Sequence, residues 1–344
     1  MPDLRRLLLC FLLLWPGLVF GAETGTWQDY KTRFVAPDGR IIDNRRGDIS
    51  HSEGQGYGML LALIHEDRES FETIRRWTVD NLQVRKDGLF AWSWGQRSDE
   101  SWAVIDYNNA TDGDLLIGSA LVQAGKRWQR SDYRDQGRAI ANEIQRLLTI
   151  RVDGKTLLLP GYWGFNSSKG LVINLSYFVF PAFRAFAEIG DRAFWSAVER
   201  DALGVLQTGL RGSLKLPPDW LILSDGRLTV FEEKSECFGY EAIRVPLYLA
   251  MANLPGPAEP FRSFLMWVKQ HGYLPVNVDI IRETVTLADS PAGFYTVMGR
   301  CAALLKEPAL SNELFQRATQ KLSNEPQDYY SYTLYLLARN GDMP

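Results

Sequence analysis

Apolar residues recur three and four positions apart along most of the chain, the period of an α-helix that buries one face. The pattern predicts helices over 27–35, 54–65, 68–82, 112–129, 133–148, 175–189, 193–210, 238–252, 259–270, 292–305, 311–321 and 329–339. Strand-like alternation is short and confined to connections at 155–159 and 227–231. The expectation is an all-α protein. Connectors of a few residues with Gly, Pro or Asp alternate with long ones rich in Trp and Tyr, such as 89–110 and 160–174. Twelve helices joined pairwise as antiparallel hairpins can close into a ring of six inner and six outer helices, although the helical period alone does not separate that barrel from an open solenoid. Either way the long loops gather at one end, where a cleft forms. No linker rich in Pro, Gly or Ser divides the chain, so one domain is expected.

The N-terminus reads as an address. Arg5 and Arg6 precede an apolar run over 7–20 with a small-residue exit at Gly21 and Ala22, the layout of a secretory signal peptide spanning 1–21. The run is shorter than the ~20 residues that span a bilayer, so no stable membrane insertion is expected once it is removed. The mature domain, 22–344, is then delivered across the inner membrane to the periplasm or the exterior. Cys10 leaves with the leader. Cys237 and Cys301 remain, and buried free thiols are the expected state.

Composition narrows the function. With 46% hydrophobic residues and a net charge of −3, the chain is neither a disordered polyelectrolyte nor a multi-pass membrane protein. Basic residues form nothing longer than pairs such as Arg75 and Arg76, which gives no electrostatic reason for a nucleic-acid partner. His51, His65 and His271 are scattered and no Cys-x-x-Cys occurs, so neither a metal nor another cofactor is expected. Eleven Trp, fourteen Tyr and seventeen Phe exceed what one core needs, and flat rings are also what proteins stack on the apolar faces of sugars.

Three segments carry candidate chemistry. In Ser52-Glu53-Gly54-Gln55-Gly56-Tyr57-Gly58-Met59 three glycines crowd a helix start, where each costs about 1 kcal/mol and earns its place only through a close approach. Glu53 beside them is a candidate acid, or a plain first-turn acid after a Ser52 cap. In Asn109-Ala110-Thr111-Asp112-Gly113-Asp114 two acids open an apolar helix behind a loop holding Trp92, Trp94 and Trp102; one cap explains one of them but not both. The later glutamate of a calcium loop is missing. In Gly239-Tyr240-Glu241-Ala242-Ile243-Arg244 the acid and the arginine are three apart, which puts both on one helix face among apolar neighbours.

Together these segments resemble glycoside hydrolase family 8. Residues 110–114 followed by Ile117, Ser119, Ala120, Leu121, Ala124 and Trp128 are similar to the family signature, with Gly118 where Ala is usual; Asn174 to Phe178 and the stretch from Tyr329 to Ser331 look like its later landmarks. The nearest group resembles the periplasmic endoglucanases associated with bacterial cellulose synthesis. The resemblance implies an (α/α)6 barrel, a β-1,4-glucan chain as substrate, inversion at the anomeric carbon, and a functional association with a cellulose synthase or export complex. Inversion needs one protonated carboxyl and one ionised carboxylate. By resemblance Glu53 is the acid, with its pKa raised so that it stays protonated; Asp112 grips and distorts the sugar; and Glu241, where many members have Asp, is the base. Arg244 orients the base, while Tyr57, Trp94, Trp102, Asp114, Trp163 and Tyr240 bind substrate. Action on chitosan, xylan or mixed-linkage glucan, and an impaired protein that only binds glycan, are the alternatives.

Overall fold

The structure is a computed structural model that describes residues 24–325 and 327–340, so the expected leader and Cys10 lie outside the described residues. Its helices are α1 (Trp27–Phe34), α2 (Ser52–Ile64), α3 (Arg68–Leu82), α4 (Thr111–Arg127), α5 (Ser131–Leu147), α6 (Phe180–Ile189), α7 (Arg192–Gly209), α8 (Arg244–Met251), α9 (Pro255–Ala258), α10 (Phe261–His271), α11 (Ala292–Leu304), α12 (Pro308–Leu322) and α13 (Tyr329–Asn340). Helices α2, α4, α6, α8, α11 and α13 each pack on the next, and α13 returns to α2. The ring is closed. Outside it, α3, α5, α7 and α12 pack on α2, α4, α6 and α11, while α1 and α10 rest on α13 and α11. This is an (α/α)6 barrel, and the solenoid alternative falls.

The sequence assigns each helix to its layer. In α4 every residue from Thr111 to Gly125 is buried, and α8 is buried throughout, because apart from a few polar groups such as Asp112, Asp114 and Arg244 their residues are apolar or small on all faces. Its outer partner α5 buries only Tyr133, Gly137, Ile140, Ala141 and Ile144, at the three-to-four spacing of a one-sided helix. Among the outer helices, α3 and α7 start on side-chain caps: Asp67 accepts from Ser70 N at 3.0 Å, and Asp191 from Phe194 N at 3.0 Å. Cys237 and Cys301 are both free, with Cys301 buried and Cys237 only half-buried. Among the described residues no helix is long and apolar enough to cross a membrane.

Two predicted helices are interrupted. The stretch expected over 175–189 breaks into a single 3-10 turn, Leu175–Tyr177, and α6, because Pro181 in the first turn of α6 disfavours helical geometry just before it. The stretch expected over 238–252 begins as a strand, β10 in the sequence of strands below, then turns, and becomes helical only at Arg244. Strands are more numerous than alternation predicts. The expected runs are present as β5 (Lys155–Leu158), paired with β4 (Thr149–Val152), and β9 (Arg227–Val230), the edge of an antiparallel sheet with β6 (Asn166–Ser167), β7 (Gly170–Ile173) and β8 (Leu221–Ser224). A further sheet joins β1 (Ser50–His51), β2 (Ser93–Gln96) and β3 (Trp102–Asp106), and another joins β10 (Cys237–Phe238), β11 (Val278–Asp279) and β12 (Thr284–Val285). Since β1 leads into α2 and β3 leads toward α4, the first of these sheets sits over the N-terminal ends of both helices.

Those ends touch almost backbone to backbone. A Cβ on Gly113 would stand 2.2 Å from Ser52 Oγ and 2.8 Å from Glu53 N, and one on Gly56 would stand 2.6 Å from Leu116 Cβ. The glycines therefore set how near Glu53 comes to Asp112. Gly113→Ala forces the helices apart, an overpacking worth roughly 1–3 kcal/mol. It is expected to lower both melting temperature and turnover, whereas Gly204→Ala in α7, where a Cβ meets nothing within 4 Å, is expected to lower neither. Thermal unfolding and cellulase assays on the two variants check this.

Candidate active site

The first turn of α2 is capped by His51, not by Ser52. His51 holds extended backbone, its Nδ1 accepts from Gly54 N at 3.0 Å, and Nε2 is therefore left to donate to Asp43 Oδ2 at 3.3 Å. Glu53 stands next in this turn. At the start of α4 no side chain caps the helix, and Asp112, in its first turn, is fully buried. Asp114 turns the other way. Its Oδ1 accepts from Phe90 N at 2.9 Å and its Oδ2 from Asn109 Nδ2 at 2.7 Å, while Asn109 Oδ1 accepts from Tyr162 N at 2.8 Å. Asp114 thus ties together the loops that frame the cleft. It has no exposed surface and, unlike Asp112, does not line the cleft, so it stands apart from the position expected of a substrate-binding residue.

Arg244 gathers the three expected carboxyls. It opens α8, immediately after a turn in which Ile243 N donates to Gly239 O at 3.0 Å and Arg244 N to Glu241 O at 3.1 Å. Its Nη1 donates to Glu53 and to Asp112 Oδ2, the latter at 2.9 Å. Its Nη2 donates to Glu241 and to Ser176 Oγ, the latter at 2.9 Å. Glu241 Oε2 also accepts from Asn174 Nδ2 at 3.1 Å. Arg244 and Asp112 are almost sealed, with side chains 2% and 1% exposed, whereas the Glu241 side chain is 35% exposed, so solvent reaches it.

The protonation pattern differs from the expectation. Burial, reinforced by the neighbouring charge of Glu53, holds the Asp112 carboxyl well above the usual carboxylate range. Burial also pushes Glu53 upward, but the guanidinium of Arg244 outweighs it and leaves Glu53 below its ordinary value. The two side chains share a hydrogen bond. Burial and the guanidinium thus act in opposite directions on the two partners of that bond, and Asp112 is the one pushed toward its protonated form.

These groups line a cavity of about 360 Å³ walled by the rings of Trp92, Tyr177, Tyr240 and Tyr330. Tyr240 is half-exposed, and Tyr330 donates to its backbone carbonyl at 2.7 Å. Tyr57 is not part of the wall. It is fully buried with its hydroxyl 2.6 Å from that of Tyr248, so it joins α2 to α8 inside the barrel and does not touch substrate. Trp94 and Trp102 stand on β2 and β3, and Trp163 on the loop before β6. Arg40 sits over the rings of Trp94 and Trp102 at 5.2 and 5.1 Å, and Arg85 over Trp163 at 5.0 Å. Trp102 and Trp163 remain 42% and 53% exposed, which leaves a ring face free for a sugar. A wider groove of about 770 Å³ runs along α7 past Glu199, Arg200 and Pro260 on the outer wall, remote from this chemistry.

Sequence reasoning did not assign roles to Trp92, Tyr177, Tyr330, His51, Asn174 or Ser176. Trp92 carried a signal, since it stands two residues before Trp94 in the aromatic loop, and residues two apart on an extended segment face the same way. The others are assembled by the fold from distant segments.

The chain resembles proteins already described. It is 40% identical over 228 residues to an endoglucanase of Cellulomonas uda, a match that spans 66% of this chain and 63% of that protein. It is 35% identical over 315 residues to a probable endoglucanase of Novacetimonas hansenii, covering 90% of this chain and 88% of that one. The crystal structure of a family 8 endoglucanase from Klebsiella pneumoniae is matched with a TM-score of 0.80 at 33% identity, over 91% of this chain and 97% of that one. A family model described as glycosyl hydrolases family 8 matches residues 12–342, and the chain belongs to that family.

Proposed function

We propose that this family 8 enzyme cuts internal β-1,4 bonds of cellulose or soluble β-glucan by an inverting acid and base mechanism, with Glu53 as acid, Glu241 as base and Asp112 as the residue that grips the sugar. The observation that carries it is Arg244 standing between Glu53 on Nη1 and Glu241 on Nη2. Two carboxyls on separate nitrogens of one guanidinium are held at one site without sharing an oxygen position, and inversion further requires them to stand ~6.5–9.5 Å apart with a water between.

The steps follow from the chemistry of the groups. A glucan chain is neutral, with apolar ring faces, and stacks on Tyr240 and on the exposed rings of Trp102 and Trp163. Its entry draws Glu53 away from Arg244, which removes the charge that kept Glu53 ionised. The proton on Asp112 then passes along their shared hydrogen bond to Glu53. Glu53 gives that proton to the glycosidic oxygen as the C1–O bond breaks, and a water bound at solvent-reached Glu241 gives its proton to that carboxylate while its oxygen bonds to C1 from the opposite face. Asp112 regains a charge as the oxocarbenium character develops, and so helps to stabilise it.

A protein that only binds glycan has no use for a proton shared between two sealed carboxyls. The N-terminal sequence supports a periplasmic or extracellular location, and we extend the proposal to trimming glucan chains near a cellulose synthase or export complex.

Glu53→Gln is expected to bind cello-oligosaccharides but to lose at least ~100-fold in turnover. Near-normal turnover would remove Glu53 from the mechanism. Glu241→Gln is expected to fall by a similar factor with little change in melting temperature, and Glu241→Asp to keep more activity than Glu241→Gln. A modest stability loss with normal turnover would make Glu241 a structural partner of Arg244 only. Reducing-sugar release from carboxymethylcellulose, lichenan, xylan and chitosan in parallel reads both activity and substrate choice, with carboxymethylcellulose and lichenan expected to be cut.

A further inference from the structure

No motif draws attention to Asp219, which follows Pro217 and Pro218 between α7 and β8. It is 7% exposed and sits beneath the turn that carries Tyr240 and Glu241. One oxygen, Oδ1, accepts from Gly239 N at 3.0 Å and from Ala242 N at 2.8 Å, and the other accepts from Ser235 Oγ at 3.0 Å. Its own amide donates to Cys237 O at 2.7 Å, which holds the two segments side by side. The amides it grips flank Tyr240 and Glu241 on both sides. Only a glycine permits this approach, because a Cβ at 239 would stand 3.1 Å from Oδ2 and 2.5 Å from Asn277 Oδ1. Helix α8 has no side-chain cap of its own at Ile243, so the buried carboxyl supplies the anchorage that a cap residue gives elsewhere.

We propose that Asp219 is a positioning residue for water activation: by clamping the turn 239–243 from below it fixes where the Glu241 carboxylate meets Arg244 and the bound water. The inference rests on Glu241 being the base. The electrostatic surroundings are consistent with a second, weaker influence. Burial pushes the Asp219 carboxyl up, the Ala242 amide pulls it back, and the charge of Glu241 raises it again, to about 6. Asp219 faces Glu241 and the thiol of Cys237, while Glu241 faces Arg244, Asp112, Tyr177 and Tyr330. When Asp219 loses its proton, its bonds to the two amides become charge-assisted and stronger. The turn is then held most firmly above pH ~6, so turnover rises through that pH.

The test compares Asp219→Ala and Asp219→Asn with the wild-type enzyme on cellopentaose. The amide of Asn accepts from both N–H groups through its oxygen and donates to Ser235, so it keeps the clamp without the charge. Asp219→Ala is expected to lose ~100-fold in kcat, the effect of a misplacement of about 1 Å, with KM within ~3-fold of wild type. Asp219→Asn is expected to recover most of that loss and to lack the inflection near pH 6 seen in the wild-type profile. A merely structural role predicts a lower melting temperature with normal kcat for folded enzyme, and that result for Asp219→Ala overturns the proposal. An Asp219→Asn variant as impaired as Asp219→Ala also overturns it. If Asp219→Ala does not fold, the Asn variant decides: near-normal kcat without the inflection supports the proposal, and a retained inflection refutes it. Glu241→Gln in the same assay separates the two claims, since an active Glu241→Gln removes the base assignment itself, whereas an inactive one beside a normal Asp219→Ala removes only the positioning role.

Discussion

Arg244 carries a permanent charge with a side chain 2% exposed, and a guanidinium buried that far costs several kcal/mol unless carboxylates meet it in good geometry. Here three acids from three elements do so: Glu53 from α2, Asp112 from α4 and Glu241 from the turn before α8. The same contacts that make the arginine tolerable hold the acids apart, decide which one keeps a proton, and leave one of them open to water. Stability and chemistry therefore depend on the same hydrogen bonds, although three acids around one guanidinium leave its charge compensated when the exposed one, Glu241, is lost.

The barrel serves this arrangement by bringing the N-terminal ends of inner helices to one end of the molecule. Positive helix ends favour carboxylates in their first turns, where Glu53 and Asp112 stand. Two glycines, Gly56 and Gly113, then let α2 and α4 approach until those carboxyls share a hydrogen bond. Desolvation at that contact raises the Asp112 carboxyl, the direction in which a carboxyl retains its proton. Behind them, Tyr57 and Tyr248 bridge α2 to α8 at the depth of the core.

Much of this was legible in the sequence wherever function forced a residue into an unusual local setting. Glycines crowding Glu53, two acids opening an apolar helix at Asp112, and an acid three residues before Arg244 each break a local rule, and each marks a group now found in the cleft. Proximity in sequence misled where direction mattered. Asp114 is two residues beyond Asp112, about 200° around the helix, and so points away from the cavity. Tyr57 lies one turn below Glu53 and reaches into the core instead of the cleft. Asn174, Ser176 and Asp219 act on Glu241 or its turn from segments tens of residues away, a relation that no local pattern records. Apolar spacing ran on through Phe238, Ala242 and Val245 and concealed the turn that presents Glu241. Strands of two to four residues such as β1 and β10 are too short for alternation to reveal.

On the proposed roles, with Glu53 as acid and Glu241 as base, hydrolysis is a single displacement at the anomeric carbon. Proton NMR of the first product released from cellohexaose, recorded before mutarotation, reads that stereochemistry directly. The arrangement predicts the α-anomer at the new reducing end. A β-anomer would mean a glycosyl-enzyme formed on Asp112, and would contradict the account of how these three carboxyls divide the reaction.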